Sequence, residues 1–143
     1  MIIAATSGGW DPIHIGHVRL LRDSKKLCDK LIVIVHSDQW LINKKGYVFM
    51  PYYERKEILE SIRYVDEVVP AIDDNPSVYK SLEYYRPNIF TKGGDRIKSQ
   101  MPIEEIETCK RLDIKIIYNV GGKKVQSSSE LIRKVNNGTC LFP

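Results

Sequence analysis

A chain of 143 residues with 43% hydrophobic and 28% charged side chains has the size and composition of one soluble globular domain, with no room for a second catalytic one. Its 22 basic and 18 acidic residues are interspersed, and a net charge of +4 so spread suits an anionic small molecule better than a nucleic-acid surface. No apolar run approaches the roughly 20 residues that span a bilayer. No basic stretch precedes Ile2, Ile3 and Ala4, and Cys28, Cys109 and Cys140 lack C-x-x-C spacing, so a cytoplasmic protein without membrane, disulfide or zinc site is expected.

Apolar runs of strand length alternate with segments of helical period from end to end, which predicts a parallel sheet covered by helices. Met1 to Thr6 reads as the first strand, a helix follows from about His17 to Leu27, and Lys30 to His36 is a buried second strand. A basic loop, Asn43 to Gly46, leads to a helix starting near Pro51 and ending near Tyr64. Strands at Val65–Val69, Ile89–Lys92 and Ile114–Tyr118 alternate with helices at Val78–Tyr85 and Ile103–Leu112. A last helix, capped by Ser127 or Ser128, runs to about Val135 before Asn136-Asn137-Gly138. Five strands and five helices make a Rossmann-like doubly wound α/β domain, residues 1–135, followed by a tail, 136–143. Its ligand is expected at the carboxyl ends of the strands.

Between the first strand and helix lies Ser7-Gly8-Gly9-Trp10-Asp11-Pro12-Ile13-His14-Ile15-Gly16-His17. This is neither a dinucleotide fingerprint nor a phosphate loop with its lysine. Its glycines permit close backbone approach at a helix N-terminus, which favours anions. His14 and His17, three residues apart, can face one side, with Gly16 leaving room for a phosphate between them. Two imidazole donors suit the charge that develops when an α-phosphate is displaced from pyrophosphate.

Gly8-Gly9-Trp10-Asp11-Pro12 followed by His14-Ile15-Gly16-His17 resembles the signature of the cytidylyltransferase-like nucleotidyltransferase superfamily. The resemblance implies that both histidines contact the triphosphate and stabilise an in-line transition state without a covalent intermediate. It also implies a homodimer, with Arg63 and Asp66 near the contact. Class I aminoacyl-tRNA synthetases share the His-x-Gly-His letters, but their lysine-rich second motif is missing here.

Lys44 and Lys45, then Met50 to Asp66, are similar to glycerol-3-phosphate cytidylyltransferases, in which a lysine at this point reaches the phosphates. That role falls to Lys44, and Lys45 reads as a solvated neighbour. Thr91-Lys92-Gly93-Gly94-Asp95 resembles the Lys-Gly-Gly-Asp of heptose-phosphate adenylyltransferases, with Lys92 to Gly94 against the nucleotide and Asp95 holding the nucleoside. Ser127-Ser128-Ser129, with Arg133 one turn later, resembles the superfamily's phosphate motif in its adenylyltransferase form. The implied reaction is NMP transfer from a nucleoside triphosphate to a small phosphorylated acceptor, with Mg²⁺ carried on the triphosphate and no protein metal site. CTP is slightly preferred to ATP as donor, and a catalytically silent nucleotide-binding module is the alternative outside enzymes. The motifs leave the acceptor pocket to Trp40, Tyr47, Tyr52 and the stretch from Asp73 to Tyr79, and they assign His36 no chemistry.

Overall fold

Five strands, β1 (Ile3–Gly8), β2 (Lys30–Val35), β3 (Glu67–Pro70), β4 (Ile89–Gly93) and β5 (Lys115–Val120), form one sheet in the order β3-β2-β1-β4-β5. Every pairing is parallel. The computed structural model describes residues 1–94 and 100–137, so Asp95 and residues 138–143 of the expected tail lie outside it. The strand order reverses between β1 and β4, and the crevice that such a reversal opens at the strands' carboxyl ends is where doubly wound folds bind ligands.

β2 is apolar from Leu31 to Val35 because both faces of the sheet are covered. Leu31, Val33 and Val35 join Ala4, Leu21 and Leu59 in one core cluster, while Ile32 and Ile34 join Ala5 and Val69 in another. The first cluster seats α1 (Ile15–Lys25) through Leu21 and α3 (Tyr52–Glu60) through Leu59. A third cluster packs α4 (Tyr79–Tyr85) and α5 (Ile103–Arg111) against Phe90 of β4, using Leu82 and Cys109. No helix among the described residues is long and apolar enough to cross a membrane.

Among the described residues there are six helices rather than the expected five. The additional one, α2 (Asp38–Lys45), converts most of the expected basic loop into helix. It buries only the adjacent pair Trp40 and Leu41, so it lacks the 3.6-residue apolar period by which helices are read. Its ends are nevertheless marked: Ser37 Oγ accepts from the Trp40 amide, and Gly46 closes it at φ 84°. α6 (Ser128–Asn136) ends the described chain.

Candidate active site

A cavity of about 350 Å³ opens at the strand reversal, between the N-termini of α1 and α6. Both helix ends present the positive pole of the helix dipole, an arrangement that favours anions. His14 and His17 line this cavity and form a reciprocal cap on α1. His14 Nδ1 accepts from the Gly16 amide at 3.0 Å, and His17 Nδ1 accepts from the His14 amide at 3.2 Å. A neutral imidazole whose Nδ1 accepts carries its proton on Nε2. Burial lowers the pKa of both rings, that of His17 to about 3, with nearby Lys45 adding to the effect on each. At neutral pH each histidine is therefore an uncharged donor through Nε2–H, its lone pair already spent on the backbone.

The rings stack at 3.8 Å between centroids, so nothing fits between them, contrary to the expectation of a phosphate there. Gly16 has a different steric cause: a Cβ at this position would meet His14 Cε1 at 2.9 Å. A phosphate must meet the imidazoles at their Nε2 edges. Trp10, at φ 56°, tucks its indole beside His17 and donates to the Ile34 carbonyl at 3.1 Å, so it walls the cavity while anchored in the core.

Of the residues singled out from the sequence, Gly8, Trp10, His14, Gly16, His17, Lys44, Gly93, Gly94, Ser127, Ser128 and Ser129 line this one cavity. Ser127 Oγ caps α6 by accepting from Glu130, and Ser128 Oγ donates to the Pro12 carbonyl at 2.7 Å, tying α6 to the histidine loop. Gly9 faces α2, where a Cβ would strike Leu41 Cδ2 at 2.8 Å. Asp11 is buried, and its two carboxylate oxygens accept from the amides of Phe49 and Met50, each at 2.7 Å. Lys92 turns to α5 and pairs with Glu105 at 3.1 Å. Arg133 is exposed and paired with Glu130. These four are not among the cavity's lining residues.

Residues 5–135 match the model of the Cytidylyltransferase-like family. The chain belongs to this family of nucleotidyltransferases. An FAD synthase of Thermococcus sibiricus is 30% identical over 142 residues, 97% of this chain and 95% of that protein. The bifunctional protein HldE of a Nitratiruptor species is 33% identical over 133 residues, 92% of this chain but 28% of the relative's length. A glycerol-3-phosphate cytidylyltransferase of Bacillus subtilis is 45% identical over 65 residues, 46% of this chain and 50% of its own. Among solved structures, the lipopolysaccharide core biosynthesis protein of Thermoplasma volcanium superposes with a TM-score of 0.72 at 25% identity, covering 87% of this chain and 99% of that one.

Within this family fold, three features escaped the sequence reading. Gly121 and Gly122, both at positive φ, begin an arch through Gln126 that lines the cavity with Lys123 and Lys124. A Gly-Gly-Lys-Lys run after the last strand was the available signal. Arg55 is fully buried and donates to the carbonyls of Met50, Gly9 and His36 and to Asp38, binding four segments behind the cavity. Finally, His36 lies buried against the ring of Trp40 at 3.8 Å, its pKa pushed to about 3 by burial and by nearby Lys44. Trp40 Nε1 donates to the Asn75 carbonyl and Asp73 caps α4, so both of these suggested acceptor residues spend hydrogen bonds on the fold.

Proposed function

We propose that the chain transfers a nucleotidyl group from a nucleoside triphosphate to a small phosphate monoester, releasing pyrophosphate. The observation that carries this reading is that, among the described lining residues, there is no carboxylate and no imidazole with a free lone pair. An alcohol acceptor would need a base to take its proton, whereas a phosphate monoester is already ionised at neutral pH and attacks unaided. Its oxygen forms a bond to the α-phosphorus as the bond to the bridging oxygen breaks, the electron pair leaving with pyrophosphate.

In this reading the Nε2–H groups of His14 and His17 stabilise charge on the α-phosphate and the bridging oxygen as it develops. The amides at the start of α6, with Ser129, hold the terminal phosphates. Gly93 and Gly94 let the backbone approach the nucleoside. Trp10 closes the wall behind His17. The lining residues offer lysines and hydroxyls, and no group of three His, Cys, Asp or Glu gathers among the described residues, so the donor set does not fit a protein-held Mg²⁺. Magnesium would arrive on the triphosphate, and no step attributed to the protein depends on it.

Against the slight preference for CTP we set ATP as the donor to be tried first, a choice supported by an FAD synthase that is similar over nearly the whole of both chains. The cytidylyl reading keeps one observation in its favour, the 45% identity with a glycerol-3-phosphate cytidylyltransferase over 65 residues. Pyrophosphate release is measured with Mg²⁺ and each of ATP, CTP, GTP and UTP. The acceptors are FMN, glycerol 3-phosphate, heptose 1-phosphate and phosphocholine, each beside its dephosphorylated counterpart. Turnover with ATP and a phosphorylated acceptor only is expected. Equal turnover with an unphosphorylated alcohol overturns the acceptor assignment, turnover with CTP moves the donor, and silence throughout favours a binding module. A soluble homodimer is the assembly this reading expects.

A further inference from the structure

Thr91 and Lys92 lead β4 into Gly93 and Gly94 at the rim of the cavity, and strand pairing gives out along this stretch. β1 pairs with β4 at Ile89 and Phe90, short of the glycines. On the other side Thr91 pairs with Ile117 and Gly93 with Val120, so two steps along β4 are matched by three along β5, where Asn119 stands at φ 58°. A bulge of this kind disrupts the ladder locally and bends the strand. Gly94 then abuts the arch after β5, where a Cβ would lie 2.0 Å from the Gly122 carbonyl oxygen. With the ladder interrupted, the depth of the two glycines in the crevice depends on the side chains just before them.

Those side chains are anchored in opposite layers. Thr91 Oγ1 lies 2.8 Å from Ser24 Oγ of α1, the helix that begins at the histidines, and both residues are buried. Lys92 points to the other face of the sheet, as alternation along a strand requires. Its Nζ lies 3.1 Å from Glu105 Oε1, with 13% and 3% of the two side chains exposed. The second oxygen of Glu105 accepts from the Val78 amide at 3.2 Å, where α4 begins. One carboxylate on α5 thus joins the end of β4 to the start of α4. A buried ion pair adds little stability, because the cost of desolvating both charges offsets their attraction, but removing one partner strands the other in the interior.

We propose that the Lys92–Glu105 pair is a positioning strut that holds the Gly93-Gly94 backbone at the depth from which it meets the donor nucleoside. The lysine of the Lys-Gly-Gly sequence then acts on the main chain beside it, and the ligand is met by the glycines. The strut rests on the nucleotidyl-transfer reading. Neither Lys92 nor Glu105 lines the cavity, so both are positioning residues.

The test compares, by titration calorimetry, the α,β-methylene analogues of ATP and CTP with inorganic tripolyphosphate, which has the phosphates but no nucleoside. The double variant Lys92→Met/Glu105→Gln removes both charges, and Gln keeps an acceptor for the Val78 amide. Its urea midpoint is expected to stay at the wild-type value or above. It should weaken the better-bound analogue by about tenfold or more, as loss of preorganised positioning does, and leave tripolyphosphate unchanged. Glu105→Asp, which keeps both charges and shortens the strut by one methylene, shows the same split in smaller degree and carries the test where the double variant does not fold. Neutralising the exposed pair between α4 and α5, with Arg111→Met/Glu83→Gln, changes neither ligand. A folded double variant, or failing that Glu105→Asp, that binds the analogues like wild type overturns the strut, as does equal weakening of analogue and tripolyphosphate. A wild-type chain that binds neither analogue defeats the nucleotidyl-transfer reading and the strut with it, a result distinct from failure of the strut alone.

Discussion

The wall of the site built on α1 and the wall built on α2 and α3 use their polar atoms in opposite ways. On the α1 side, His14 and His17 spend one ring nitrogen each on the helix cap and keep the other for the cavity. On the other side Asp11 gives both oxygens to Phe49 and Met50, and Arg55 gives its donors to three carbonyls and Asp38. Asp11 and His14 are three residues apart in one motif, yet one faces into the protein and the other into the cavity. A motif's polar residues thus divide into those that meet a ligand and those that hold the frame, and hydrogen-bond saturation separates the two groups.

The difference can be broken most decisively at the histidines. A His14→Ala/His17→Ala variant is expected to lose on the order of 10⁴-fold in kcat for pyrophosphate release, since one preorganised donor is worth about 10²–10³-fold and the two act together. Its stability should fall by only about 1 kcal/mol, the cost of a helix cap. A double variant that turns over like wild type removes the α1 wall from the chemistry.

The framing wall should fail the other way. Arg55→Met leaves the carbonyls of Gly9, His36 and Met50 without a donor and is expected to cost about 3 kcal/mol in urea unfolding, the scale for breaking a buried charged network. Activity should be lost in proportion to unfolding rather than before it. A stable but inactive Arg55→Met chain would place Arg55 with the histidines.

The smallest effect is a pH slope. His17 and His36 titrate near 3 in the folded chain but at about 6.5 when unfolded, so the unfolded state takes up protons first on acidification. Their stabilising contribution is complete above about pH 6.5 and is lost as pH falls toward 3, at a limiting slope of about 1.4 kcal/mol per pH unit for each ring. His36→Phe retains the stack on Trp40 and should flatten the stability profile between pH 6 and 4 by one such slope. An unchanged profile would mean that His36 is not held neutral by its surroundings.

The sheet was legible because β2 is apolar at five consecutive positions and each strand is bounded by polar turns. The histidine pair was legible because its spacing and flanking glycines follow from the geometry of a helix start. α2 was not, since Trp40 and Leu41 are adjacent and carry no period. Asp11, Lys92 and Arg133 carry residue types that suit phosphate or nucleoside chemistry, but their partners Phe49, Met50, Glu105 and Glu130 are found only through tertiary contact or helix pairing. The Gly-Gly-Lys-Lys run marks a turn after the last strand, but the form of its arch depends on the chain that it crosses.

That crossing has a further consequence. Where Gly94 passes Gly122, main chain meets main chain with no side chain between, so the spacing between the ends of β4 and β5 is set by peptide dimensions alone. This edge of the cavity behaves as a fixed jaw, its spacing indifferent to substitutions elsewhere in the domain.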